Sequence, residues 1–299
     1  MNMIAPDQGK AEIDIYLNRP APGRRVAIKA AHDWAGRAAM AMADLRETWQ
    51  LWPLVWTLSL MDIRLRYRGS LLGPFWLTLS TAVMVGSIGF LYSRLFHANV
   101  AAYLPFLSIS LVLWNFISTI TAEGCICFTT SESMIRAMRM PLALHAARVV
   151  LRNIMVLAHN IVVIVVVFAI FRTVPSAASI SLVPAAALWL MDAMAISLLL
   201  GIFGARFRDI PPIIGSLVQI AFYLTPVMWS PTMLAHRGLN VILVKWNPFF
   251  ALLEIMRGPL LGNPLETGTW LVALGYSALL ILLAGLVFMR ARPRIAYWV

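Results

Sequence analysis

Five stretches of about twenty or more mostly apolar residues, and a sixth slightly shorter one, run through this chain, and no feature constrains its fold more. A helix needs about 20 such residues to cross the hydrocarbon of a bilayer. The stretches fall near Pro74–Leu95, Tyr103–Ala122, Ala143–Phe171, Ile180–Phe203, Pro212–Trp229 and Trp270–Met289. Lipid offers no partner to a bare backbone N–H or C=O, so each spanning stretch must be a helix whose hydrogen bonds close on themselves. The expected fold is therefore an all-α integral membrane bundle of six transmembrane helices. Composition agrees: 61% of the 299 residues are hydrophobic and 12% charged, where a soluble domain has nearer half and a quarter.

The net charge of +11 would suit a nucleic-acid binder, but the basic residues lie in the loops between apolar runs, which is the membrane pattern. No nucleic-acid partner is expected. Up to Arg68 there are ten Lys and Arg; Arg136, Arg139 and Arg148 follow the second run, Arg206 and Arg208 the fourth, and Arg290, Arg292 and Arg294 the last. The alternate loops hold Arg94, Arg172, Arg237, Lys245 and Arg257. The richer side is cytosolic, and an even number of spans puts both termini there. The first thirty residues carry charges throughout and contain no leader-like apolar run.

Three regions are expected: a cytosolic arm at 1–43, an amphipathic interface helix within 44–72, and a permease domain at 73–299. Trp49, Trp52, Trp56, Leu60, Ile63 and Tyr67 recur at helical spacing from Asp44 to Arg68. Such a helix lies in the membrane surface, rings at headgroup level and arginines toward water. Pro53 should break or kink it early. Between spans five and six, Pro226 and Pro231 interrupt the helix, and Asn247 with Pro248 opens a short apolar helix as N-cap and first residue. That helix is too short to cross and is expected to be re-entrant or periplasmic, so that Pro226, Asn247, Pro248, Glu254 and Arg257 shape an outer mouth.

Arg152, Asn153, His159, Asn160 and Asp192 lie inside spans, and Glu123 ends one. Buried polar groups of this kind commonly hydrogen-bond between helices. Cys125 and Cys127 have no partners spaced for a disulfide framework or zinc, and read as two small apolar side chains at a helix end. No metal site is expected. Thr129 with Glu132 has the spacing of a capping box, and a helix over Ser131–Met140, stopped by Pro141, would show an apolar face of Met134, Ile135 and Met138.

The run Arg64, Leu65, Arg66, Tyr67, Arg68, Gly69, Ser70, then Gly73, Pro74, Phe75 and Trp76 resembles the substrate-entrance motif of ABC exporter permeases for surface polysaccharides. These are the O-antigen and capsule export permeases of the Wzm and KpsM type. Leu113, Trp114, Asn115 and Phe116 followed by Glu123 and Gly124, then Arg206 to Asp209, then Asn247 and Pro248 with Glu254, Arg257, Leu261 and Gly262, agree in order. The likeness covers about residues 45–299. It implies a homodimer in the bacterial inner membrane, joined by two ATP-binding cassette ATPase subunits that carry the ATP and magnesium, and moving a polyprenyl-pyrophosphate-linked glycan.

The residues fit these implications. The chain contains no Gly-x-x-x-x-Gly-Lys-Ser/Thr loop for ATP, so the motor would be a separate chain and this one a transporter subunit without cofactor. Met134, Ile135 and Met138 would be its docking handle. Arg64, Arg66 and Arg68 sit where a lipid headgroup arrives, and planar guanidinium forks suit pyrophosphate oxygens; they would equally attract any anionic membrane lipid. Two other functions compete. A membrane-embedded transferase on polyprenyl-linked sugars would want an Asp-x-Asp pair near the surface, and the nearest approach is Glu12 and Asp14, far from any span. A free-standing carrier would show repeated halves, which are absent. An ABC permease for another lipid or a drug is a closer alternative. The Lys/Arg asymmetry makes a direct prediction: reporter fusions near Gly9, Arg139 and Ile295 signal cytosol, and those near Ala98, Ala177 and Arg237 signal the outside. A periplasmic signal at Arg139 reverses the orientation.

Overall fold

The computed structural model describes residues 34–73, 75–96, 99–230, 244, 246–263 and 266–299. Expectations for residues 1–33, for Pro74 and for Pro231 lie outside these. The described helices are α1 Trp34–Gln50, α2 Trp52–Arg66, α3 Phe75–Phe96, α4 Val100–Cys125, the short α5 Glu132–Ala137, α6 Ala143–Phe171, α7 Leu182–Arg206, α8 Ile210–Leu224, α9 Pro248–Leu260 and α10 Thr267–Trp298. Among the described residues, five helices are long and apolar enough to cross a membrane: α3, α4, α6, α7 and α10. The described residues form helices and the turns between them, and the protein is multi-pass. The stretch expected as span five is the 15-residue α8, shorter than the full crossing length. It stops at Leu224 because Pro226 forces Thr225 out of helical geometry, to ψ 139.

α4 is the central helix, packed against α3, α6, α7, α8 and α9. One apolar core gathers Leu107, Ile109, Val112, Trp114 and Phe116 of α4 with Val163 and Val167 of α6, Leu188 and Trp189 of α7, and Leu253 and Ile255 of α9. A second, at the opposite end, joins Cys127 and Phe128 to Ala143, Ile202, Phe288 and Ile295. Both cysteines are buried and free.

α4 and α7 cross closely on Gly124 and Gly204, a contact between two helices that no spacing in the sequence announces. A β-carbon on Gly204 would stand 1.9 Å from the Cys125 carbonyl oxygen, and one on Gly124 would stand 2.9 Å from the Ser197 α-carbon. Small residues let helix backbones approach in this way where lipid supplies no hydrophobic drive.

The N-terminal surface helix differs from expectation. The chain is already helical at Trp34, the first described residue and ten residues before Asp44, and the helix breaks at Leu51 into α1 and α2. The break is the one expected of Pro53, which stands in the first turn of α2, where its missing N–H has no partner to lose. The expected stripe also divides. Val55, Ser59 and Ile63 face the bundle and are buried, while Trp49, Trp52 and Trp56 point outward. Ser59 Oγ donates to the Arg148 carbonyl oxygen at 3.0 Å, which fixes α2 on α6. Asp44 fixes α1: its carboxylate accepts from the backbone N–H of Ala143 at 2.8 Å and of Leu142 at 3.2 Å, and from Arg292 Nε at 2.8 Å. It caps α6 from another helix, satisfying N–H groups that a helix start leaves bare.

The α4–α7 crossing carries a prediction. Gly204→Ala should cost about 1–3 kcal/mol through overpacking and lower the melting temperature of the purified protein in detergent. Gly86→Ala, with open space around the added carbon, should leave it unchanged.

Candidate functional site

Two ionic knots touch α4, one near its Cys125 end and one near its middle. At its Cys125 end, Glu123 meets the last turn of α2 and the first half of α6. Glu123 Oε1 accepts from Arg66 at 2.7 Å, and its Oε2 accepts from Arg152 at 2.7 Å and from Asn153 at 2.6 Å. Asp62 accepts from Arg152 at 2.8 Å and from Arg148, whose Nε lies at 2.8 Å. Three guanidinium groups thus share two carboxylates. Burial works against the charge on Arg66, but the bond to Glu123 and its negative charge outweigh that and raise the guanidinium pKa. Arg64 and Arg68 stay exposed, with no ion-pair partner among the described residues. Beyond them Gly69 and Gly73 take φ of +84° and +54°, the left-handed turn that swings the chain into α3.

In the second knot, Arg257 of α9 is 1% exposed. It donates to Glu254, to Ser110 Oγ of α4 at 2.8 Å and to the Pro226 carbonyl oxygen at 2.8 Å, and it lies 4.3 Å from the Phe106 ring centroid. Asn247 caps α9 by accepting from Phe249 and Phe250 N–H, and its own amide donates to Thr225 Oγ1 at 3.0 Å. Of the residues expected at an outer mouth, Pro226, Glu254 and Arg257 are bonded together, and Asn247 and Pro248 start the helix that carries the last two. Ser110 and Glu123 are thirteen residues apart on α4, so the knots are separated by about 20 Å of helix.

Between them α3, α4 and α8 line an open groove of about 720 Å³. Ser80 and Thr81 line it from α3, Asn115, Ser118 and Thr119 from α4, and Gln219 from α8. Trp114, Phe222 and Tyr223 add rings, with Trp114 and Phe222 centroids 5.7 Å apart. Thr81 also donates to Asn160 of α6 at 3.2 Å. Asp192 accepts from Ser277 at 2.6 Å, joining α7 to α10. Most polar groups flagged inside spans therefore do bond between helices. His159 is different: its Nδ1 lies 2.7 Å from the Met155 carbonyl oxygen within α6.

The segment after α4 corrects the expected handle. The helix covers only Glu132–Ala137, behind a 3₁₀ turn at Thr129–Ser131. No capping box forms, since Thr129 Oγ1 donates back to the Ile126 carbonyl oxygen. Pro141 disfavours helical geometry just before it, and Met138 is already extended at φ −136, ψ 141. Met134, Ile135 and Met138 therefore do not make one outward face: Ile135 packs on the second core, while Met138 is exposed. Arg136 donates to the Val299 carbonyl oxygen at 2.5 Å and pairs with Glu132 at 2.9 Å. Arg206 lies over the Trp298 ring at 5.1 Å. Among the described residues no group of three or more His, Cys, Asp or Glu is placed to hold a metal ion.

A lane that carries amides and hydroxyls among apolar side chains fits a multi-pass membrane transporter subunit, and comparison with known proteins agrees. The family model described as ABC-2 type transporter matches residues 53–261, and the chain belongs to that family. It is similar to the "O-antigen export system permease protein RfbA" of Myxococcus xanthus, 21% identical over 253 residues, covering 84% of this chain and 97% of the relative. The protein of the same name from Klebsiella pneumoniae is 19% identical over 248 residues, covering 82% and 95%. The resemblance drawn from the motifs thus holds at the level of the family.

Arg257 gives a sharp test of the second knot. Arg257→Met should cost about 3–5 kcal/mol, because it strips a buried ion pair of one partner. Arg257→Met with Glu254→Gln should recover part of that loss. Thermal unfolding of the purified protein in detergent reads both; equal loss in the single and double variants would show that the ion pair is not what matters.

Proposed function

We propose that this chain is the permease of an ATP-driven exporter that moves a lipid-linked surface polysaccharide out of the cytosol across the bacterial inner membrane. The observation that carries the proposal is the lane between α3, α4 and α8. A glycan crossing a bilayer has hydroxyl groups that cost free energy when left without partners, and apolar C–H faces that stack on rings. The amides of Asn115 and Gln219, the hydroxyls of Ser80, Ser118 and Thr119, and the rings of Trp114, Phe222 and Tyr223 meet both needs. The names of the two relatives support a glycan cargo.

A second copy of the chain closes the lane. α8 has no buried residue and α3 exposes Phe75, Trp76, Leu79, Val83, Phe90 and Leu91; apolar faces on both sides of the lane suit a homodimer packed across it. Six spans, with α8 the fifth, put both termini in the cytosol. There the segment Glu132–Met138, with Met138 exposed and Met134 partly exposed, docks one of two ATPase subunits, which bind the ATP and magnesium. α1 and α2 lie at the inner membrane surface. Arg64, Arg66 and Arg68 receive the pyrophosphate of the polyprenyl-linked glycan there, and Pro226, Asn247, Pro248, Glu254 and Arg257 frame the outer mouth.

The test is polymer export in a strain lacking its own copy of the permease, normalised to permease abundance in the membrane. Asn115→Leu with Gln219→Leu should lower export about fivefold or more, the worth of one or two hydrogen bonds of about 0.5–1.5 kcal/mol each. Undiminished export at normal abundance would overturn the lane as the glycan path and favour a purely lipidic cargo.

A further inference from the structure

The geometry points to Glu123 as an internal competitor that occupies Arg66 until an incoming pyrophosphate displaces it. The inference rests on the reading that the Arg64–Arg68 motif receives a lipid pyrophosphate, and it adds the residue that controls access to that motif.

Glu123 divides its two oxygens unequally. Oε2 is held by Arg152 at 2.7 Å and Asn153 at 2.6 Å, both on α6, whereas Oε1 has Arg66 at 2.7 Å. If Arg66 leaves, the carboxylate keeps charge-assisted partners on Oε2, and Arg152 keeps Asp62 as well. No group is stranded in a buried site, so the step avoids the penalty for an unpaired buried charge. Arg66 is the mobile party: its side chain is 45% exposed against 18% for Glu123, and Glu123 is its one ion-pair partner among the described residues.

The charge count also favours an anion. Arg66, Arg148 and Arg152 face only Asp62 and Glu123, leaving one positive charge in surplus, and the exposed Arg64 and Arg68 add two more. A pyrophosphate offers several oxygens to these forks, and Arg suits such oxygens geometrically. Two anionic groups cannot both take the same guanidinium edge. A headgroup that takes the Arg66 Nη2 edge therefore has to displace the Glu123 carboxylate from it.

The experiment measures probe binding to the purified full-length permease in nanodiscs of phosphatidylcholine at low salt. The probes are a polyprenyl pyrophosphate without glycan, the matching polyprenyl alcohol, and inorganic pyrophosphate. Glu123→Gln should bind the polyprenyl pyrophosphate about twofold to fivefold more tightly than wild type, the worth of a half-exposed ion pair. Arg66→Gln should bind more weakly than wild type, and adding Glu123→Gln to it should bring no gain. A gain of the same size on that background would mean that Glu123 acts only through its general charge, and would overturn direct competition, as would equal or weaker binding by Glu123→Gln. Should Glu123→Gln accumulate poorly, Glu123→Asp answers the same question, since it keeps the charge beside Arg152 but withdraws it from Arg66. A gain with inorganic pyrophosphate as well shows that a free anion suffices; a gain confined to the lipid-linked probe shows that the chain must deliver it, and both support competition. If wild type and every variant bind pyrophosphate and alcohol alike, the pyrophosphate reading itself fails. If wild type prefers pyrophosphate and Glu123→Gln shows the same affinity, only the competition fails.

Discussion

An ionised side chain enclosed by helices, with lipid beyond them, has to be neutralised by its neighbours, and the charged knots of this bundle follow from that requirement. Desolvation costs several kcal/mol per ion, recovered only when opposite charge and hydrogen bonds are both close. Asp44 is met by Arg292 and two backbone N–H groups, Asp62 and Glu123 by three arginines and an asparagine, and Arg257 by Glu254, a hydroxyl and a carbonyl. Each solution draws on elements far apart in sequence. The charges thereby fix which helix ends meet, a specificity that interchangeable apolar contacts along the spans do not supply.

Close packing then divides the bundle. α4 and α7 approach across Gly124 and Gly204, and α6 fills the next side, so α4 spends most of its surface on these neighbours. α3 and α8 contribute little to the shared core and leave the polar side of α4 uncovered: Asn115, Ser118 and Thr119 line space rather than another helix. The groove results from which helices the buried carboxylates and glycines draw together and which they leave at the edge.

The spans were legible because apolar length is a strong local signal. α6 has the expected bounds, Ala143–Phe171, since Pro141 marks one end and Arg172 the other. Helix ends set by side-chain caps or by distant partners were less visible. α4 starts three residues before Tyr103, where Asn99 accepts from Ala101 N–H. α10 continues past Met289 to Trp298 through Pro293, with Ile295 buried and Arg292 bonded to Asp44. Arg152 and Glu123 stood out as charges in apolar text, but their pairing, 29 residues apart, has no periodic signature, nor has the contact of Arg152 with Asp62 across 90. Asp44 was seen only as the edge of a surface helix. The tight crossing uses Gly124 and Gly204, on two different helices, for which spacing along one helix is blind.

The Asp44 contacts impose an order on assembly. Its carboxylate bonds groups that follow it by 98, 99 and 248 residues. During synthesis α1 emerges first of the described helices, yet its seat is half made when α6 arrives and complete only when α10 does. Until then the earliest helix must wait outside the bundle with a charge that has nowhere dry to go. A chain stopped short of Arg292 would keep most of its apolar spans and still leave that carboxylate without its cation, so the last helix acts as the latch by which a finished molecule differs from a truncated one.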